Sequence, residues 1–179
     1  MKTLVFAIGL VLTSQQTMAN TGSIGFFGQV NNGTCPIEII DPSTGLPANR
    51  IYMGNVNTAQ FEQEDDEAAT RAFGLRITPG NGCILLPGAN ASVTFTGNYG
   101  GAGANGTLYA LEPTGASGLA LIIKDNLGTP IDNGLASKQY PLHDSKPTDM
   151  LFSVAYKAID TQVSAGFANG DVQFRVDIL

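Results

Sequence analysis

The last nine residues, Asp171-Val172-Gln173-Phe174-Arg175-Val176-Asp177-Ile178-Leu179, alternate polar and apolar up to the terminal carboxylate. Side chains of a strand point to opposite faces at period two, so this pattern predicts a half-buried β-strand and not a tail. Chain ends normally fray. A strand placed here needs a sheet beside it and a cover over the face that carries Phe174, Val176 and Ile178.

The other end shows a related pattern behind an export signal. Residues 1–19 hold one early cation, Lys2, an apolar stretch from Leu4 to Leu12, a polar segment and then Thr17-Met18-Ala19. This predicts a cleaved secretory signal peptide, with an apolar part too short to span a bilayer. The mature chain is expected to start near Asn20. In Gly22-Ser23-Ile24-Gly25-Phe26-Phe27-Gly28-Gln29-Val30, the residues Gly22, Ile24, Phe26, Gly28 and Val30 share one face at period two. The mature chain is thus expected to begin and end in amphipathic strands.

The roughly 160 residues that remain after cleavage suit a single core. Charged residues make up 13% of the sequence and glycine contributes 22 positions. Short apolar runs broken by Gly, Asn, Pro and Asp suit an all-β sandwich rather than a helical bundle. Strands are expected at Ile24–Val30, Ile37–Ile40, Ile51–Val56, Phe73–Ile77, Ala91–Thr96, Leu119–Lys124, Leu151–Ala158 and Val172–Ile178. Asp125-Asn126-Leu127-Gly128 is expected to turn Ile122–Lys124 into a hairpin with Pro130-Ile131.

Lys2 is the only charged side chain in the leader, so the mature chain carries eight Lys and Arg against 15 Asp and Glu, a net charge of −7. Nucleic acid and anionic membrane surfaces are poor partners for such a chain, since both call for clustered cations. The acidic run Glu62-Gln63-Glu64-Asp65-Asp66-Glu67 lacks the spaced Asp/Asn and Gly of a calcium loop and reads as a solvated loop. Cys35 and Cys83 are the only cysteines. In an exported chain an even count predicts one structural disulfide.

Catalysis finds little support. The single histidine, His143, sits in the Pro-flanked polar loop Tyr140–Pro147, and no Gly-x-Ser-x-Gly elbow occurs anywhere. No metal or cofactor is expected. The glycine-rich stretch Gly97–Gly106 is followed by neither a helix nor Lys-Ser/Thr, so it reads as a flexible surface loop and not as a phosphate cradle.

Taken in order, the motifs resemble one family. Gly22-x-Ile24-x-Phe26-x-Gly28-x-Val30 places a glycine seven residues before Cys35. Tyr52-Met53-Gly54-Asn55-Val56 and Ala72-Phe73-Gly74-Leu75-Arg76-Ile77 lead to Cys83. Val93-Thr94-Phe95-Thr96-Gly97, Gly118–Ile123, Phe152-Ser153-Val154-Ala155-Tyr156, Ala165–Asn169 and Phe174–Ile178 follow. The ordered set resembles subunits of bacterial fimbriae assembled by the chaperone and usher pathway, of the type 1 pilin kind. The family usually has an aromatic residue next to last; here it is Ile178, which keeps the apolar alternation.

The resemblance implies an immunoglobulin-like β-sandwich lacking its final strand. It divides the chain into a signal peptide (1–19), a donor-strand segment (20–33) and a pilin domain (34–179). It implies that Phe174, Val176, Ile178 and Leu179 line an acceptor groove, capped first by a strand of a periplasmic chaperone that also binds the terminal carboxylate. The donor residues Gly22, Ile24, Phe26, Gly28 and Val30 of the next subunit would replace that strand at an outer-membrane usher. It further implies passage through the periplasm to a cell-surface fimbrium and a part in cell adhesion. Two alternatives are set against it: residues 22–30 as an internal first strand, and a secreted self-contained β-sandwich that binds carbohydrate or protein.

Overall fold

The computed structural model describes residues 35–179. The expected strand Ile24–Val30 and the whole donor segment lie outside them. Ten strands follow in order: β1 (Ile37–Ile40), β2 (Glu67–Ile77), β3 (Asn90–Gly97), β4 (Gly101–Ala102), β5 (Leu108–Ala110), β6 (Leu119–Asp125), β7 (Pro130–Ile131), β8 (Tyr140–Pro141), β9 (Thr148–Ala158) and β10 (Val172–Ile178). All pairings are antiparallel. One sheet runs β1-β2-β9-β6-β5-β4 with β7 also on β6, and the other runs β10-β3-β8.

The two sheets meet face to face through the alternation written into their strands. Ala91, Val93 and Phe95 of β3 point into the core, as do Phe73, Leu75 and Ile77 of β2 and Met150, Phe152, Val154 and Tyr156 of β9. Phe95 stands edge-on to Phe152 at 5.1 Å and to Phe73 at 6.0 Å between ring centroids. These offset aromatic contacts between sheets add specific geometry to a core assembled by apolar burial. At the centre of the larger sheet, β6 is buried on both faces, with Leu121 and Ile123 in the core and Ala120 and Ile122 on the far side. That explains its nearly continuous apolar run, since a strand covered on both faces loses its alternation.

Several expectations need correction. Ile51–Val56 forms no strand. β2 begins six residues before Phe73, at Glu67, which the acidic loop was expected to include; its carboxylate meets Lys124 Nζ at 2.6 Å. Gly97–Gly106 is not simply a flexible loop. Gly101 and Ala102 pair with Tyr109 and Leu108, and a Cβ on Gly101 would collide with the Gly106 carbonyl. The loop expected at Tyr140–Pro147 starts with two paired residues, opposite Asn90 and Ala91. There Tyr140 is buried against Phe152.

The hairpin after β6 forms as expected, with Ile123 opposite Ile131 and Lys124 opposite Pro130. Its turn is organised by buried Asp125, whose Oδ1 accepts hydrogen bonds from Leu127 N at 2.8 Å and Thr129 N at 2.9 Å. Burial by itself would push this carboxyl up. The two backbone donors and Lys138 outweigh it and hold the group below the ordinary aspartate range. Removing the carboxylate by Asp125→Ala leaves two amides without an acceptor and is expected to cost about 1–3 kcal/mol at neutral pH. A depressed pKa contributes stability that is lost as pH falls through it, so the gap between variant and wild type should narrow below about pH 4. Urea unfolding at pH 7 and pH 3 measures both effects.

Candidate functional site

The register of β10 on β3 determines which of its main-chain groups are engaged. Leu179 N donates to Asn90 O at 2.8 Å, Asn90 N to Leu179 O at 3.1 Å, and Asn98 N to Asp171 O at 2.8 Å. In an antiparallel pair, hydrogen-bonded and non-hydrogen-bonded residues alternate. Asp171, Gln173, Arg175, Asp177 and Leu179 therefore face β3. The main-chain groups of Val172, Phe174, Val176 and Ile178 point to the opposite edge. β3 shows the complementary parity, since its Val93 and Phe95 carbonyls accept from Ser137 N and Gly134 N on the side away from β10.

Among the described residues, nothing pairs with that outer edge of β10. The same four residues carry the apolar side chains. Val172, Phe174 and Val176 pack half-buried against the core, whereas Ile178 is 41% and Leu179 67% exposed. One run thus offers both unpaired donors and acceptors and an incompletely covered apolar wall. An edge of this kind is a template for a further strand.

A second unpaired segment rests on the same core. Ile51, Met53 and Val56 are half-buried against it, while Tyr52 between them is 78% exposed. The apolar residues that suggested a strand do reach the core, but period two fails after Met53, since Val56 and not Asn55 is half-buried, and no ladder forms. Among the described residues, the main chain of 51–56 makes one hydrogen bond, from Arg71 Nε to Tyr52 O at 3.2 Å. Sequence reasoning missed this segment as part of the site, and it missed Arg71. The signal for the first was present in Tyr52-Met53-Gly54-Asn55-Val56; nothing in the sequence marked the second.

The remaining expected residues are placed as follows. Cys35 and Cys83 form a disulfide with Cα atoms 4.5 Å apart, tying the chain just before β1 to the turn after β2. The donor residues Gly22, Ile24, Phe26, Gly28 and Val30 lie outside the described residues. His143 is exposed on its loop, with Ser145 N donating to its Nδ1 at 3.2 Å. In the acidic loop, Asp66 Oδ2 accepts from Glu62 N and Gln63 N, so that carboxylate organises its own turn. No set of three or more metal-ligating side chains converges among the described residues.

The fimbrial protein family matches residues 24–178, almost the entire chain. The chain belongs to the fimbrial protein family. A type-1 fimbrial protein subunit of Serratia marcescens is 26% identical over 96% of this chain and 94% of its own length. A fimbrial-like protein FimF of Salmonella typhimurium is 30% identical over the same shares. Among solved structures, a type I fimbria protein and antigen of Burkholderia pseudomallei superposes with a TM-score of 0.61 at 25% identity, covering 80% of this chain and 99% of that one. The chain is a structural subunit of a surface fimbria, and its sandwich is the open pilin form. Its unpaired β10 edge lies in the strand that the C-terminal alternation pointed to.

Proposed function

We propose that this subunit polymerises by strand donation, with residues 20–33 of one copy lying along the β10 edge of the next, and that the filament supports cell adhesion. The observation that carries the reading is the coincidence, in Val172, Phe174, Val176 and Ile178, of unpaired main-chain groups with an incompletely buried apolar face. In this reading segment 51–56, half-buried on the same core without a ladder of its own, would form the opposite rim, and the added strand would take hydrogen bonds from both sides. This is strand addition, in which main-chain bonds supply affinity and alternate side chains supply fit. Before assembly, a strand of a periplasmic chaperone covers the same edge and binds the Leu179 carboxylate, and an usher in the outer membrane is where the exchange takes place.

The magnitudes support a durable joint. Ile24, Phe26 and Val30 bury at roughly 1.5–3 kcal/mol each, and main-chain bonds add about 1 kcal/mol net apiece, giving on the order of 10 kcal/mol before association costs. The test is a domain lacking residues 20–30, purified with its chaperone, freed from it and heated with and without a peptide of residues 20–33. A joint of this size should raise the melting temperature by more than about 15 °C. A stable domain indifferent to the peptide would instead indicate a self-contained binding module. A domain that fails to fold even with chaperone would make 22–30 its own first strand.

A further inference from the structure

β2 carries an irregularity directly beside the unpaired segment. Ala68 stands opposite Tyr156 and Arg71 opposite Val154, so three steps along β2 face two along β9. The extra residue is a bulge, and Ala69 within it takes φ 57°, a left-handed conformation uncommon for a residue with a side chain. Regular pairing would set Thr70 opposite core-facing Val154. The bulge sets Arg71 there, on the side of the sheet from which Phe73 and Leu75 enter the core.

From that position the Arg71 guanidinium reaches segment 51–56. Nε donates to Tyr52 O at 3.2 Å and Nη1 donates to Thr70 O at 3.1 Å, so the group spans from its own strand to the rim. Gly54 fits beneath it: the residue has φ 82°, and a Cβ there would lie 3.1 Å from Arg71 Nη2. Both the left-handed backbone and the close approach favour glycine at this point. A bulge, a strained alanine and a glycine thus converge on one arginine and one carbonyl.

We infer that Arg71 is a positioning residue that holds segment 51–56 ready to accept the incoming strand, an inference that rests on the strand-donation reading above. The physical reason is entropic. A rim with no ladder of its own must be ordered when a strand arrives, and ordering it beforehand removes that cost from binding. Bulges serve such ends, re-aiming a side chain beside a functional edge. Arg71 holds the Tyr52 carbonyl of segment 51–56, so it acts through that segment.

The test uses the full mature chain, residues 20–179, purified with its chaperone and freed from it, with its own donor segment disabled by Gly28→Leu; this parent is compared with the same chain carrying Arg71→Met, Arg71→Lys or Gly54→Ala. Each is mixed with a fluorescein-labelled peptide of residues 20–33; peptide release is followed after dilution, and the peptide-free chains are heated in parallel. Arg71→Met should release peptide at least ~10-fold faster while its peptide-free chain melts as the parent does, Arg71→Lys should recover part of the loss, and Gly54→Ala should also release faster, with a lowered melting temperature from its strained left-handed backbone. Release unchanged in Arg71→Met and Gly54→Ala would overturn the positioning role and leave strand donation intact. So would a lowered melting temperature of the peptide-free variants with unchanged release, which would mark a brace of the fold alone. A donor-disabled parent chain that binds no peptide would remove strand donation, and this inference with it.

Discussion

Two variants, each unable to form filaments alone, are expected to form a single defined dimer when mixed. In the strand-donation reading, Gly28→Leu spoils the donor: a branched side chain stands where the backbone must approach the neighbour closely, and overpacking a tight contact costs about 1–3 kcal/mol or more. Val176→Asp spoils the acceptor. Val176 is half-buried on the apolar side of β10 with its main chain turned to the open edge, and an unpaired carboxylate under an added strand costs several kcal/mol. The first variant can still accept and the second can still donate. Each alone should yield filaments reduced by about 100-fold or more, the product expected when a few kcal/mol is lost at every joint. Their equimolar mixture should stop at one joint, read as a dimer by light scattering. Normal filaments from Gly28→Leu would refute the placement of the donor. Mixed chains that stay monomeric would refute the pairing of that segment with this edge.

The second large effect is expected from the disulfide. Cys35 and Cys83 are separated by 48 positions, and closing a loop of that length contributes roughly 4 kcal/mol by the chain-entropy estimate. Cys83 is also 2% exposed, so its replacement disturbs packing as well as connectivity. A chain with Cys35→Ser and Cys83→Ser should unfold in urea with a midpoint lowered by about 4 kcal/mol divided by the slope of the transition. For a domain with stability in the ordinary range this is a large fraction of the total. The loss should appear in the oxidised wild type once reductant is added. Equal stability with and without reductant would show that the loop between the two cysteines is already constrained in the unfolded chain.

How much of this was legible beforehand depends on what each segment pairs with. β3 and β9 face one core and one solvated side, so the alternation in Ala91-Ser92-Val93-Thr94-Phe95-Thr96 and Leu151-Phe152-Ser153-Val154-Ala155-Tyr156 was enough to find them. β10 was readable to the residue, and its parity on β3 places the apolar set at the free edge. The start of β2 was invisible because Glu67-Ala68-Ala69-Thr70-Arg71 has no apolar period, and the bulge at Ala69 breaks the phase that remained. β4, β5 and β8 are two or three residues long, below any useful period. Ile51–Val56 misled for a more telling reason. Ile51, Met53 and Val56 are apolar because they line the core, yet the period slips at Gly54 and no strand forms, since burial says nothing about whether a hydrogen-bonding neighbour is present in the same chain. The site was therefore half legible: the wall formed by β10 could be read, whereas the rim and the arginine that holds it depend on distances no pattern encodes.

The position of the disulfide also has a mechanical meaning. In the strand-donation reading, a filament under tension would load each domain between the chain preceding Cys35 and the strand that ends at Leu179. If the sheets tore, the chain from 35 to 83 would still be short-circuited by a covalent bond. With 48 positions between the cysteines, the bond withholds roughly 160 Å of contour length from each stretched domain. In the strand-donation reading, reduction would lengthen the reach of a broken subunit by up to that amount, so the redox state of one sulfur pair would set how far the fibre extends before it is taut.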